Sequence, residues 1–429
     1  MSVGAVFIIF ALCLLIAVPV SISLGIVSVL PGMFDSSFTA SGSFVIRSMV
    51  GGIDSFPLLA VPMFVLAGII MAHGQISEKL FDVFAYFLGK RTAGMPCAVI
   101  VTCLFYGAIS GSAPATVAAV GSMTIPILME MGYEKEFSTA IVAVAGGLGV
   151  IIPPSIPFIM FAMASGASVS DLFLAGIIPG LLIGFILMLY VWAYYKKHGE
   201  DKEKINLKID ALHAEGFGKV FKESFWAILS PVIILGCIYS GIASPTEAAV
   251  ISVFYSLIIS LFVYKSIKPR EIWGICVEAM KTFAPILFIL AASVAFSRVL
   301  TLMQVPQTVS DWILTHFTNE IILLLVIDIF LLLVGMVMDT TPAILILTPI
   351  LLPIVTSVGM DPIHFGVMMV VNLAVGFVTP PIGVNLFVAS SLTEVPVMTI
   401  ARKAIPMIIA FLIALLLITY IPGISLALL

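Results

Sequence analysis

Apolar residues run along this chain in blocks, and the blocks are long enough to cross a membrane, for which about 20 residues suffice. Val6 to Leu30 reads as a first membrane segment, Trp226 to Tyr264 as two crossings, and residues 283–303 as one more. Four stretches do not fit plain helices. Residues 95–131 carry Gly107, Gly111, Pro114, Gly121 and Pro126 and are expected to run in and back. Residues 137–168 exceed one straight span and are interrupted at Pro153-Pro154 and Pro157. Residues 321–358, broken near Pro342, and 362–393, broken at Pro380-Pro381, repeat the two patterns. Lipid offers no hydrogen bonds to an unwound backbone, so such breaks need surrounding protein or a water-filled cavity. The pattern predicts an all-α polytopic membrane protein with about 10 transmembrane helices and two re-entrant hairpins. Ile76–Lys90 and Pro306–Thr318 are amphipathic and read as arms lying in the interface, with ordinary loops as the alternative.

Composition agrees. Of 429 residues, 61% are apolar and 10% charged, with a mean hydropathy of +1.25. Soluble domains hold about 45–50% apolar and about 25% charged residues, so a soluble enzyme or a nucleic-acid binder is excluded. The N-terminus lacks a basic n-region and a small-residue cleavage site, so the first segment is read as membrane-embedded and not as a signal peptide. Cys13, Cys97, Cys103, Cys237 and Cys276 are scattered singly without a C-x-x-C pair, which suits inert packing.

The chain repeats itself. A shift of 227 positions aligns Pro126 with Pro353, Gly132 with Gly359, Gly149 with Gly376, Pro153-Pro154 with Pro380-Pro381 and Pro179 with Pro406. Identity is low, 10 matches in 54 positions from 126 to 179, but the matched residues include the helix breakers. The halves, 1–195 and 225–429, are joined by a polar linker, 196–224, holding 13 of the 42 charged residues. Seven of those are lysines, which places the linker in the cytoplasm. Matched loops then carry opposite charge bias: 34–46 lacks Lys and Arg where the second half has Lys265, Lys268 and Arg270, and 78–91 holds Lys79, Lys90 and Arg91 where 306–320 has none. The halves are therefore expected to insert upside down relative to each other. Sixteen of 19 basic residues fall inside, the exceptions being Arg47, Lys281 and Arg298, and both termini fall outside in the periplasm.

Interrupted segments at matching places of inverted repeats point to a transport site. The breaks read Ser110-Gly-Ser-Ala-Pro114 and Gly149-Val-Ile-Ile-Pro-Pro154 in the first half, and Asp339-Thr-Thr-Pro342 and Gly376-Phe-Val-Thr-Pro-Pro381 in the second. Freed carbonyls and small hydroxyls form the oxygen cage that a hard cation such as sodium needs, and half-helix ends add partial charge. Hydrogen bonding between helices is the other use of these hydroxyls. Arg298 lies in an apolar stretch away from any basic loop, where an ionised group costs at least ~2.5 kcal/mol; its planar fork suits a substrate carboxylate, and snorkelling to the outer interface is the alternative. Asn372 and Asn385 flank the second break and have amides to offer a substrate, and with Arg298 and Asp339 they form the candidate substrate-binding set. Glu247 in Ser244-Pro-Thr-Glu-Ala-Ala249 is expected to cap a helix start. Asp54 and Asp328 have no evident partner. Walker, H-E-x-x-H and G-x-G-x-x-G motifs are missing, so energy has to come from an ion gradient or a partner chain. Ser168 with a distant His364 is the one hint of an intramembrane serine protease; a passive anion channel is the other alternative.

Gly241-Ile-Ala-Ser-Pro-Thr-Glu-Ala-Ala249 resembles the G-x-x-[ST]-P-T-E-A-A motif of the large membrane subunit (DctM-like) of tripartite ATP-independent periplasmic (TRAP) transporters. Gly107 to Thr116, Gly149 to Ser155, Val334 to Asp339 and Thr379 to Gly383 fit the same family, and the resemblance spans the chain. It implies a bacterial inner-membrane importer of organic acids, driven by sodium and working as an elevator-type carrier. No cofactor is implied beyond the coupling sodium ions. The implied partners are a small four-helix membrane subunit and a periplasmic substrate-binding protein. Carried over by position, one sodium site draws on Ser110, Gly111, Ser112, Gly149 and Pro153. The second draws on Asp339, Thr340, Thr341, Gly376 and Thr379, and Arg298 fits as the carboxylate ligand. The residue pattern is nearest the sialic-acid branch, though C4-dicarboxylate members share all these motifs.

Overall fold

The structure is a computed structural model and describes residues 3–34, 38–316 and 319–429, helical almost throughout and without a strand among the described residues. The first half begins with α1 (Val3–Leu15), α2 (Val20–Phe34), α3 (Gly42–Ile53), α4 (Ala60–His73) and α5 (Ile76–Leu88). It continues through α6 (Gly94–Ser110), α7 (Ala113–Glu130), α8 (Lys135–Ala145), α9 (Ile156–Ser165) and α10 (Val169–His198). The second half follows α11 (Lys202–Ala214) with α12 (Phe217–Tyr239), α13 (Pro245–Ile258), α14 (Ile272–Leu302) and α15 (Val305–His316). It ends with α16 (Glu320–Gly335), α17 (Thr340–Ser357), α18 (Pro362–Gly376), α19 (Val384–Thr393) and α20 (Val397–Tyr420). Among the described residues, eight helical segments are long and apolar enough to cross a membrane.

Three boundaries differ from expectation. The predicted first segment Val6–Leu30 is two helices, because Pro19 has no N–H to continue α1 and Ala17 turns the chain with φ 60. The polar linker is itself helical: Asp201 caps α11 by accepting from Lys204 N at 3.2 Å, and α12 already begins at Phe217, inside the bounds 196–224. The crossing expected at 283–303 is longer, starting at Ile272.

The helices pack as two groups. One gathers α2, α3, α4, α12, α13 and α14; the other gathers α6 to α10 with α16 to α20, drawn from both halves. The second group has the drier centre. In α18 every residue from His364 to Gly376 is buried, as is every residue of α8 from Phe137 to Ala145. A helix covered on all sides has no polar face. The two predicted arms are α5 and α15. Each touches both groups, α5 against α6 and α12, α15 against α14 and α17. The last predicted arm residue, Thr318, lies outside the described residues.

Both hairpins run in and back, from opposite ends. Glu200 Oε1 accepts from Ala93 N (2.9 Å) and Tyr133 Oη (2.7 Å), so the feet of α6 and α7 meet beside the linker. Lys208 reaches Glu130 at 2.9 Å at the same end. The foot of α16 and the start of α18, which follows α17 after a short turn, meet at the other end of α20, where Tyr420 donates to the Ile321 carbonyl (2.8 Å) and His364 Nε2 lies 3.2 Å from the Thr419 carbonyl. The start of α20 is fixed at the linker end, where Lys403 pairs with Glu134 (2.5 Å). The inverted arrangement read from loop charge is thus visible as geometry.

Candidate functional site

Each hairpin tip crosses a broken helix, and the two crossings are built alike. At the first, a Cβ on Gly107 would stand 2.7 Å from Gly149 Cα; at the second, a Cβ on Gly376 would stand 2.3 Å from Gly335 C. Only glycine lets two backbones approach this closely. The chain between the helices is held in the same way: Ile156 N donates to the Gly111 carbonyl and Ile382 N to the Met336 carbonyl, both at 3.3 Å. Gly111 ends α6 with φ 61, a left-handed conformation that favours glycine.

The first crossing brings its sequence-predicted residues together. Thr116 Oγ1 donates to the Ser112 carbonyl (2.8 Å) and accepts from Ser110 Oγ (3.0 Å), which also lies 3.3 Å from that carbonyl. A Cβ on Gly149 would meet Thr116 Oγ1 at 2.4 Å and the Ser112 carbonyl at 2.8 Å. Pro153 precedes Pro154, whose carbonyl would be 2.8 Å from a Cβ on Gly111. Ser110, Ser112, Thr116 and the glycine backbone therefore converge on one point. Thr116 is the member the candidate set lacked, although its place within the motif Gly107–Thr116 and one helical turn after Ser112 was legible.

At the second crossing Asp339 stands where Ser112 stands in the first, at the shift of 227, and each is the N-cap of its hairpin's returning helix. Asp339 Oδ1 accepts from Thr341 N (3.0 Å) and lies 3.5 Å from Thr340 Oγ1. An acidic N-cap complements the positive end of α17. Thr379 Oγ1 donates to the Val375 carbonyl (2.7 Å), which leaves its lone pairs free. Hydroxyls that satisfy one carbonyl and still present an oxygen can serve both the fold and a cation.

The other candidates are dispersed. Arg298 lies on α14 with Nη1 3.4 Å from Ser48 Oγ, lining a cavity of about 530 Å³ with Gly52, Ser55, Gly166 and Ser297. Small residues on α3, α9 and α14 leave this space open. A separate cavity of about 680 Å³ is lined by Ser110, Ser112, Tyr106, His73 and Glu278, so the first tip faces this one and Arg298 faces the other. Asn372 Nδ2 is committed to Asp328, and Asn385 Nδ2 donates to the Ala143 carbonyl (3.1 Å), tying α19 to α8. The structure does not bring Asn372, Asn385 and Arg298 to one place. Glu247 is a cap as expected: its Oε2 accepts from Ser244 N (2.8 Å) and Ser244 Oγ (2.7 Å). Ser168 caps α10 and His364 is held by Thr419, so the two protease candidates have separate structural employment.

On α5, Lys79 pairs with Glu223 at 2.7 Å, and burial pushes the Asp82 carboxyl up to about 6. At the hairpin foot, burial and the bond to Glu200 push the Tyr133 hydroxyl well above its usual range.

These features define a polytopic membrane protein of two inverted halves, each with a hairpin tip packed on a broken helix. Residues 7–424 match the family described as "Tripartite ATP-independent periplasmic transporter, DctM component", and the chain belongs to that family. It is 40% identical to the C4-dicarboxylate TRAP transporter large permease protein DctM of Pseudomonas aeruginosa, over 87% of this chain and 86% of that one. It is 35% identical to the 2,3-diketo-L-gulonate TRAP transporter large permease protein YiaN of Escherichia coli, over 91% of this chain and 89% of that one. Identity reaches 44% with the isethionate TRAP transporter permease protein DctMQ of Oleidesulfovibrio alaskensis, over 97% of this chain; the chain spans 64% of that relative's length. In fold it is similar to the YdaH transporter of Alcanivorax borkumensis, with a TM-score of 0.66 at 14% identity, covering 95% of this chain and 98% of that one.

Proposed function

We propose that this chain is the permease of a sodium-coupled importer of organic-acid anions in the bacterial inner membrane, with the linker 196–224 cytoplasmic and both termini periplasmic. The observation that carries the reading is the pair of equivalent crossings, Gly107 on Gly149 and Gly335 on Gly376, each with an oxygen-bearing N-cap, Ser112 or Asp339. Sodium ions bound there neutralise partial charges and order both tips. The anion then binds beside a rigid tip, so each ligand favours the other through a shared conformation. The group of α6 to α10 with α16 to α20 is proposed to move as one body against the rest, in an elevator motion, with α5 and α15 as its arms.

The named relatives carry isethionate, C4-dicarboxylate and 2,3-diketo-L-gulonate in their descriptions, which supports a small organic anion as substrate. Sialic acid, favoured by the residue pattern, belongs in the same panel. Arg298 is the proposed carboxylate contact, and Asn372 and Asn385 are proposed to support the site by fixing α18 and α19. Delivery is proposed to involve a periplasmic binding protein and a small four-helix membrane subunit. The test is uptake in proteoliposomes holding the permease with these partners. Accumulation of one panel acid should require an inward sodium gradient, and Arg298→Ala should abolish it while the protein still inserts. Gradient-independent equilibration would favour the anion channel, and unchanged uptake by Arg298→Ala would remove that residue from the site.

A further inference from the structure

Asp328 lies in the middle of α16, 4% exposed, and is itself given no part in the proposed transport chemistry. Its partners are neutral. Asn372 Nδ2 donates to Asp328 Oδ1 (2.8 Å) and to the Asp328 carbonyl (2.9 Å), and Thr419 Oγ1 donates to Oδ2 (3.0 Å). Three helices, α16, α18 and α20, are thereby pinned at one point. Asn372 is fully buried, and both hydrogen bonds that its Nδ2 makes go to Asp328, while its Oδ1 has no partner among the described residues.

The place of the clamp gives it meaning. Asp328 precedes Gly335 by about two helical turns and Asn372 precedes Gly376 by about one. These are the glycines whose backbones meet: a Cβ on Gly335 would lie 3.3 Å from Gly376 Cα, and one on Gly376 would lie 2.6 Å from Gly335 Cα. The first half has no such clamp, since the shift of 227 puts Val101 and Ala145 at these positions. That crossing is instead braced at its tip by Thr116, whose counterpart is Ala343. Each crossing thus has one polar brace, placed differently.

We propose that Asp328 is a positioning residue for the second crossing. By gripping Asn372 it holds α16 and α18 at the separation where Gly335 and Gly376 touch, and so fixes the oxygens around Met336, Asp339 and Thr379. The effect on cation binding rests on the reading of that crossing as a sodium site; the bracing itself does not.

Two measurements separate the two. Sodium dependence of uptake is measured in proteoliposomes with the transporter's partners, and hydrogen exchange of the amides between Gly376 and Gly383 in the purified chain. Asp328→Ala should raise the half-saturating sodium concentration about 10-fold to 100-fold, the usual range for losing a group that orients ion ligands. Substrate KM at saturating sodium should stay near wild type, and exchange at the crossing should speed up. Asp328→Asn should restore both, because its amide oxygen can accept from Asn372 and its NH2 can donate to Thr419 Oγ1. Asn372→Leu should reproduce the alanine phenotype and serves if Asp328→Ala does not fold. Unchanged sodium dependence and exchange in the alanine and leucine variants would overturn the proposal, as would an asparagine variant as impaired as alanine. If wild-type uptake ignores sodium, the site reading falls and exchange alone decides: faster in Asp328→Ala sustains the brace, unchanged refutes it.

Discussion

Adding one methyl group at Gly376 is the sharpest perturbation of the second crossing. Its Cβ would fall 2.3, 2.5 and 2.6 Å from the C, O and Cα of Gly335, all backbone atoms with no rotamer to yield. Relief requires α16 and α18 to part by roughly 1 Å, given that carbon atoms pack at about 3.5–4.0 Å. Overpacking of this kind costs about 1–3 kcal/mol, and rigid backbone on both sides places Gly376→Ala at the upper end, roughly a 150-fold change in an equilibrium constant. Gly149→Ala should be milder. Its nearest contact is the Thr116 hydroxyl at 2.4 Å, which can rotate away, while the Ser112 carbonyl stands at 2.8 Å. Gly274→Ala, with nothing within 4 Å of the new Cβ, is the control and should be neutral or slightly stabilising. The assay is half-saturating sodium for proteoliposome uptake, together with the thermal midpoint of the purified protein. Loss in the order Gly376→Ala, Gly149→Ala, Gly274→Ala is expected. A Gly376→Ala protein with wild-type midpoint and sodium dependence would refute the close crossing, and Gly149→Ala as the more damaged variant would refute the ranking by backbone rigidity.

Other expectations concern the parts that carry the hairpins. Burial raises the Asp82 carboxyl to about 6 from an unfolded value near 3.8, so the native state binds the extra proton between these pH values and loses stability as pH rises through them. Asp82→Asn should therefore stabilise the protein at pH 7.5, by up to about 3 kcal/mol, and leave it nearly unchanged at pH 3, below both values; thermal unfolding at both pH values checks this. Glu200→Ala removes the acceptor shared by Ala93 N and Tyr133 Oη, bonds to a charged group each worth about 1.5–3 kcal/mol. Faster hydrogen exchange at both feet of α6 and α7 is expected, and a change at one foot alone would contradict the shared clasp.

Much of this was legible in the sequence, for identifiable reasons. Helix breaks announce themselves because Pro removes a donor and Gly permits close approach, so Pro153-Pro154, Pro380-Pro381, Gly149 and Gly376 marked both crossings before any contact was known. The Ser244–Glu247 cap was readable because it is local, spanning one turn. Asp328 was unreadable, since its partners Asn372 and Thr419 are 44 and 91 residues away. Asn372 and Asn385 were offered to a substrate because proximity to a break along the chain says nothing about direction, and the fold turns their amides to Asp328 and to Ala143. Thr116 fell between, present in a motif yet given its place only by contact with Gly149.

The sequence by itself determined that the chain is a membrane protein of two inverted halves with paired breaks. Hydropathy, loop charge and helix breakers act locally, and lipid enforces them without reference to the rest of the chain. Only the tertiary structure decided which breaks meet, that Arg298 and the first hairpin tip line separate cavities, and that a buried carboxylate stands behind the second crossing. Those are matters of which helix faces which, and in helices buried all round, as α8 and α18 are, no polar face remains in the sequence to say.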